Sequence, residues 1–272
     1  MWEWDPTLFM GTAKYYSRGR LPYALAMAAT VRDALMLDGR GRLLDVGCGP
    51  GPVALALAPW FEAVVGLDPD PAMLEEAATH AAAQGITTAT WVCLRAEELP
   101  ANLGAFRVAS FGQSFHWMHR GQVAAAIFGL LTPGGAFLQV NQEPCREAHP
   151  SDGPPPPYDR ITHLVRSYLG DVRRAGQGLL PQGTPGNEAP IIESVGFGKE
   201  RTVRLSGGEP VVRTIEDIIA WVFSRSDSAP HLFGERLPQF QHELLHLLWQ
   251  AAPSGAFIEQ QPDTKLRIWL KP

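Results

Sequence analysis

The stretch Leu43-Leu44-Asp45-Val46-Gly47-Cys48-Gly49-Pro50-Gly51, followed after an apolar helical run by Val64-Val65-Gly66-Leu67-Asp68, constrains the fold of this chain more than any other. An apolar strand that runs into a glycine turn, then a helix, then a second apolar strand ending in an acid is one βαβ half of a nucleoside-binding sheet. The glycines remove Cβ atoms, so the turn can take positive φ and a ligand can approach the backbone. Asp68, at the end of the second strand, can accept hydrogen bonds from two ribose hydroxyls.

The glycine spacing narrows the ligand. Dinucleotide sites use G-x-G-x-x-G to bring a pyrophosphate onto a helix N-terminus, whereas this turn reads G-x-G-x-G, and the sixth place counted from Gly47 is Pro52. A proline ring stands where close helix-to-strand packing wants Gly or Ala. Asp45 adds a carboxylate at the end of the first strand, which would repel a pyrophosphate and attract an ammonium or a sulfonium. S-adenosylmethionine carries both.

With these residues the chain resembles the class I S-adenosylmethionine-dependent methyltransferases, in particular their small-molecule branch of ubiquinone/menaquinone-biosynthesis-type and trans-aconitate-type enzymes. The resemblance continues through Ala96-Glu97-Glu98-Leu99-Pro100 after strand three, Phe106 to Trp117 along strand four, and Leu131-Thr132-Pro133-Gly134-Gly135-Ala136-Phe137 before strand five. Tyr15-Tyr16-Ser17-Arg18-Gly19-Arg20-Leu21-Pro22-Tyr23 is similar to an N-terminal segment found in part of that branch. It implies an α/β, Rossmann-like, seven-stranded, mostly parallel sheet of order 3-2-1-4-5-7-6, with a helical and loop cap inserted after strand five.

Apolar periodicity places the elements. A helix is expected over 22–38, strands over 42–46, 63–67, 89–94, 106–111 and 136–141, and helices from Pro71 to about Gly85 and over 120–131. From Glu143 to Pro157 the run Pro154-Pro155-Pro156-Pro157 interrupts both kinds of element. Beyond it come an amphipathic helix over 158–174, a Gly/Pro-rich loop over 176–190, a short helix over 191–195, a strand over 198–205, helices over 214–224 and 234–251, and a last strand over 265–270. The expected divisions are 1–142 for the N-terminal segment and cofactor-binding core, 143–190 for the cap, and 191–272 for the completion of the sheet.

A balance of 23 basic against 28 acidic residues gives a net charge of −5, with no basic footprint for a phosphate backbone, so nucleic acid is not expected as a partner. No apolar run approaches the ~18 residues of a membrane span, and the N-terminus has no charged-then-apolar leader pattern. The expectation is a cytoplasmic chain without a membrane partner, acting on a small molecule; the sequence leaves the oligomeric state open. Cys48, Cys93 and Cys145 lack metal or redox spacing and read as free thiols, and no metal site is expected. His242 and His246 stand at i, i+4 but lie on an apolar helix without a third ligand.

The expected cofactor site comprises Asp45, Gly47, Cys48 (through its backbone N–H), Gly49, Gly51, Asp68, Pro69 and Met73. What the resemblance implies adds Ala96 and Glu97, then Gln113, Ser114, Phe115 and Trp117 after strand four, and Tyr15 and Arg18 from the N-terminal segment. The aromatic residues offer faces to a sulfonium, and arginine offers a bidentate partner to a carboxylate. Candidate catalytic residues are His116 and His119, as imidazoles that titrate near neutrality, and Tyr16. Methyl transfer from S-adenosylmethionine to a small, bulky or aromatic acceptor, leaving S-adenosylhomocysteine, is the expected activity. The alternative is a non-catalytic S-adenosylmethionine-binding partner or sensor.

Overall fold

The computed structural model describes residues 5–146, 153–175, 178–179 and 186–272. These fall into two compact units, each assembled from separated stretches of chain. The sheet unit takes Tyr23–Pro144, Pro185–Ser206 and Asp263–Pro272; the helical unit takes the described parts of Met1–Pro22, Cys145–Thr184 and Gly207–Pro262. Described residues of the expected 143–190 insertion from Cys145 to Leu179 thus share a unit with stretches near both ends.

Besides a two-residue antiparallel pair, Arg174–Ala175 with Gly178–Leu179, the strands are β1 (Arg42–Val46), β2 (Ala63–Asp68), β3 (Ala89–Cys93), β4 (Phe106–Gly112), β5 (Leu131–Glu143), β6 (Arg201–Leu205), β7 (Val211–Thr214), β8 (Ala256–Glu259) and β9 (Asp263–Leu270). Seven of them form the main sheet in the order β3-β2-β1-β4-β5-β9-β6, which is the expected topology. β1 to β5 are parallel, and β9 runs antiparallel to both β5 and β6.

Both faces of this sheet are buried because successive residues of each strand are apolar and point to opposite sides. Leu43, Val64, Leu138 and Ile268 enter one core layer with Met27, Val31, Val53 and Leu57. Their neighbours Leu44, Val65, Phe137 and Trp269 enter the other with Phe111, Ile127 and Phe197. The covering helices are α2 (Met27–Leu35), α3 (Pro52–Leu57), α4 (Pro71–Ala83), α5 (Arg120–Leu130) and α7 (Glu188–Ser194), which follow α1 (Ala13–Gly19) of the helical unit.

Several boundaries differ from the sequence expectation. α2 starts at Met27 rather than 22, because Ala24 is tied by its N–H to the Thr264 hydroxyl at 2.8 Å. It stops at Met36, whose φ of 48° closes the helix in the left-handed region. β5 begins five residues early: Thr132 to Gly135 form a bulge, and the pairing with β4 jumps from Phe106–Leu131 to Val108–Ala136.

The helical unit packs α1, α6 (Tyr158–Leu169), α8 (Ile215–Phe223) and α9 (Leu237–Ala251) with the antiparallel pair β7–β8. Its core holds Ile161, Val165, Ile218, Phe223, Phe240, Leu244 and Phe257. α6 ends at Leu169 instead of reaching 174, since Gly170 leaves the helix with φ 77°. α1 and the β7–β8 pair were not expected at all. Arg213 on β7 joins them, with its buried guanidinium donating to Glu259 at 2.6 Å and to the carbonyls of Gly19 and Asp217 at 2.9 and 3.1 Å. The 176–190 loop lies mostly outside the described residues. Among the described residues no helix is long and apolar enough to cross a membrane.

α1 and α8 approach so closely that a Cβ on Gly19 would lie 2.5 Å from the Ala220 carbonyl carbon and oxygen, which are backbone and cannot rotate away. Gly19→Ala is therefore expected to lower stability in urea unfolding by about 1–3 kcal/mol or more. Gly129→Ala, in α5 where a Cβ meets nothing within 4 Å, is expected to raise it by about 0.5–1 kcal/mol.

Candidate functional site

The turn between β1 and α3 is held by three positive-φ glycines, Gly47 at 66°, Gly49 at 54° and Gly51 at 82°. At Gly47 a Cβ would also meet the Ser114 Cβ at 2.7 Å, so this position excludes side chains twice over. At Gly49 a Cβ would meet nothing within 4 Å: the backbone there faces open space, as a turn that admits a ligand must.

Asp45 secures the turn from below. Its exposure is 1%, its Oδ1 accepts from the Ser110 hydroxyl at 2.7 Å, and its Oδ2 accepts from the Ala54 N–H at 3.1 Å. Ala54 is the third residue of α3, whose own N-cap, Gly51, supplies no side chain. Asp45 therefore caps that helix from the neighbouring strand, taking up one of its orphan N–H donors. Burial pushes its carboxyl up to about 7, against the two hydrogen bonds that favour the ionised form. The expected attraction of Asp45 for a ligand cation is thus corrected: at 1% exposure the carboxyl acts on the turn from inside the protein.

Asp68, at the C-terminal end of β2, stands beside the same turn. Oδ2 accepts from the Gly49 N–H at 2.8 Å and Oδ1 from the Asp70 N–H at 3.0 Å. A carboxylate has about four acceptor sites, so two remain for hydroxyl donors. Burial raises this carboxyl to about 6, again against the bonds from Asp70 and Gly49.

The Cys48 N–H, expected to line the cofactor, instead donates to the Leu67 carbonyl at 3.0 Å, which Gly47 N–H shares at 2.7 Å. Its thiol is buried and held well above its ordinary value, first by burial and then by Asp45 and Asp68, so it is no nucleophile. Pro69 follows Asp68, and its carbonyl accepts from the Cys93 thiol at 3.7 Å. Met73 is buried on the first turn of α4, which Asp70 caps through the Ala72 N–H.

After β3, Ala96 is buried at the start of a short 3₁₀ turn. Glu97 accepts from the His119 N–H at 2.9 Å, and the Glu97 carbonyl accepts from Gln122. After β4, Gln113 adopts φ 53° and donates to Gln142 at 3.2 Å, while the Ser114 hydroxyl donates to the Val46 carbonyl beneath Gly47. Phe115 is 2% exposed, with its ring edge-on to Phe111 and Phe137. Its face is spent on the core. His116 is half-buried with its ring 5.2 Å from that of Trp117; burial lowers its imidazole below the ordinary value, Glu188 opposes this and Arg120 adds to it.

Tyr15, Tyr16 and Arg18 belong to α1 in the helical unit. There Tyr15 packs against Phe223, Tyr16 lies under the Arg20 guanidinium, and Arg18 pairs with Asp217 at 2.7 Å and Glu216 at 3.7 Å.

Three supporting residues escaped the sequence reading. Ser110 sits opposite Asp45 in the β1–β4 register, a polar residue inside an apolar strand. Trp91 sits opposite Gly66, where a Cβ would lie 2.3 Å from the indole, and also backs Gly51 at 3.0 Å. A glycine in mid-strand was the available signal. His80 of α4 bonds the Pro50 carbonyl through Nδ1 at 3.1 Å.

The open face at Gly49 and the spare acceptor sites of Asp68 fit the ribose and tail of S-adenosylmethionine. Because the folded state holds the Asp45 proton more tightly than the unfolded chain does, folding stability falls as pH rises from about 4 to about 7. Asp45→Asn, whose amide can accept from Ala54 and donate to Ser110, is expected to stay within about 1 kcal/mol of the parent at pH 7 and to flatten that fall. Asp45→Ala strands the Ala54 N–H and is expected to cost about 1–3 kcal/mol, both read by urea unfolding across pH.

Comparison with known proteins places this geometry. Residues 43–135 match a methyltransferase domain family. An uncharacterized methyltransferase of Synechocystis is 34% identical over 112 residues, 40% of this chain and 50% of that protein. Trans-aconitate 2-methyltransferase of Enterobacter is 38% identical over 79 residues, 28% of each chain. A tRNA (uracil-5-)-methyltransferase homolog A of mouse is 34% identical over 82 residues, 30% of this chain and 13% of that protein. The chain thus spans half or less of the length of these curated relatives. Among solved structures, the YcgJ protein of Bacillus subtilis shares the fold with a TM-score of 0.53 at 16% identity, covering 90% of this chain and 98% of that one. The fold and the site geometry agree with the match over the glycine turn: residues 43–135 carry a methyltransferase domain of the kind whose methyl donor is S-adenosylmethionine.

Proposed function

We propose that the chain transfers a methyl group from S-adenosylmethionine to a small organic acceptor. The observation that carries this reading is the pairing of the Gly49 turn, open toward a ligand, with Asp68 at 2.8 Å. When bound, the cofactor supplies an electrophilic methyl group on a sulfonium. The turn admits its nucleoside, and the Asp68 carboxylate accepts from the ribose hydroxyls. Glu97, Met73 and Ala96 are assigned to the adenine side, and Gln113, Ser114 and Trp117 to the tail.

Such a transfer demands mainly alignment, and well-oriented reactants supply roughly 7–11 kcal/mol of the barrier. His116, with its imidazole lowered by burial, is neutral at pH 7 and can accept a proton from an acceptor hydroxyl. His119 and Tyr16 are kept as further candidates for that role. The relatives with matching segments include one named for a small organic acid and one named for tRNA. The acidic net charge of −5 favours the small molecule.

Two measurements test this. With methyl-labelled cofactor and a small-molecule extract, label is expected in a low-mass product; label in nucleic acid or protein instead overturns the acceptor class, and cofactor binding with no transfer to any fraction favours the sensor alternative. Asp68→Ala is expected to weaken cofactor binding by about 1.5–3 kcal/mol, tenfold to more than a hundredfold. Ribose hydroxyls favour the ionised carboxylate. Binding should therefore strengthen as pH rises through about 6 and should release a proton below that, visible as buffer-dependent heat in calorimetry. A pH-independent affinity would remove Asp68 from the site.

A further inference from the structure

In the helical unit three arginines converge on the polar segment Ser224-Arg225-Ser226-Asp227-Ser228, four of whose five residues are buried. Arg225 grips Asp227 with the fork formed by Nε and Nη2, at 2.8 and 2.9 Å, so both oxygens of that carboxylate are taken. Arg173, only 8% exposed, reaches the same carboxylate through Nη1 alone, at 3.4 Å. Its Nε is buried with no hydrogen-bond partner. The third, Arg20, donates to the Ser224 carbonyl at 3.2 Å, has no carboxylate partner among the described residues, and also carries a buried Nε without a partner.

Guanidiniums cannot shed their protons, and Arg166, Arg173 and Arg225 share the carboxylates of Asp171 and Asp227. Burying an unpaired cation is among the costliest arrangements a protein can keep. Burial and the neighbouring Arg225 both pull the Arg173 guanidinium below its ordinary value, with Asp227 opposing them. The atom left without a partner on Arg173, Nε, is one of the two with which Arg225 holds Asp227, and a carboxylate is the acceptor a guanidinium edge fits. Trp221 adds an aromatic surface, packed on one side by Arg225 at 4.7 Å and by Tyr158 at 4.3 Å between ring centres.

We propose that Arg173, beside Arg225 and Asp227, forms a binding site for the carboxylate of a small organic acid, with Arg20 at the Ser224 end of the same segment. The ligand's charge completes the ion pairing that Asp227 and Asp171 leave short. The proposal does not depend on the methyl-transfer reading.

The test uses the full chain without cofactor in chloride-free buffer, with sodium benzoate and acetate as probes, benzamide as the neutral isostere of benzoate, and sodium sulfate as the non-carboxylate anion. Benzoate is expected to bind saturably in calorimetry and to raise the unfolding midpoint, and benzamide to do neither. Arg173→Met, which keeps the stem and removes the charge, is expected to weaken benzoate binding at least about tenfold while leaving the ligand-free midpoint unchanged or higher. Should that variant fold poorly, Arg20→Met gives the second reading, with the same expected weakening. Absence of saturable benzoate and acetate binding, equal binding of benzamide, or undiminished affinity in the variants overturns the site, and sulfate binding without carboxylate binding overturns its ligand class. Binding of S-adenosylmethionine, measured in parallel, reports on the methyltransferase reading alone.

Discussion

The Asp45 carboxyl group is the tie on which the cofactor half of this protein depends. It links β1 to β4 through Ser110 and to the first turn of α3 through Ala54. The glycine turn lies between those two anchors, so its three positive-φ residues are held in place by a group that never needs to touch a ligand. Trp91 behind Gly51 and His80 on the Pro50 carbonyl brace the turn from two further elements. A preorganised backbone of this kind lowers the ordering cost of binding.

Burial has opposite consequences for the acids and bases of this chain. Asp45 and Asp68 can respond to a low-dielectric surrounding by keeping a proton, and both are displaced upward toward neutrality. Arginine has no such recourse. Arg213 settles its charge on Glu259 and two carbonyls, whereas Arg173 has one long contact to a carboxylate already occupied by another guanidinium. Arg213 is a charge that the fold has settled, and Arg173 one that it has left open.

Much of this architecture was legible in the sequence because it is written in local patterns. β1 was placed to the residue, β2, β3, β4 and α5 to within one, and the sheet order followed from the resemblance. The elements that escaped are short or bound by distant partners. β7 has four residues, and its partner β8 begins 42 positions later, so neither shows a period of its own. α1 is seven residues long and lacks a side-chain N-cap. In the site, Gly47, Gly49 and Asp68 were readable from spacing. The inward turn of the Cys48 N–H and the burial of the Phe115 ring were not, because both depend on which neighbour fills the adjoining space, Leu67 in one case and Phe111 with Phe137 in the other.

The place of β9 bears on how the chain is made. It lies inside the sheet, hydrogen-bonded to β5 on one side and β6 on the other, although it is the last strand in sequence. During synthesis β5 lacks its second neighbour until residues 263–270 emerge, and through that interval its edge is of the kind that invites association with other chains. The first five strands can pair in order as they appear. The β5 edge therefore stays open while the helical-unit stretch 207–262, which separates β6 from β9, is translated.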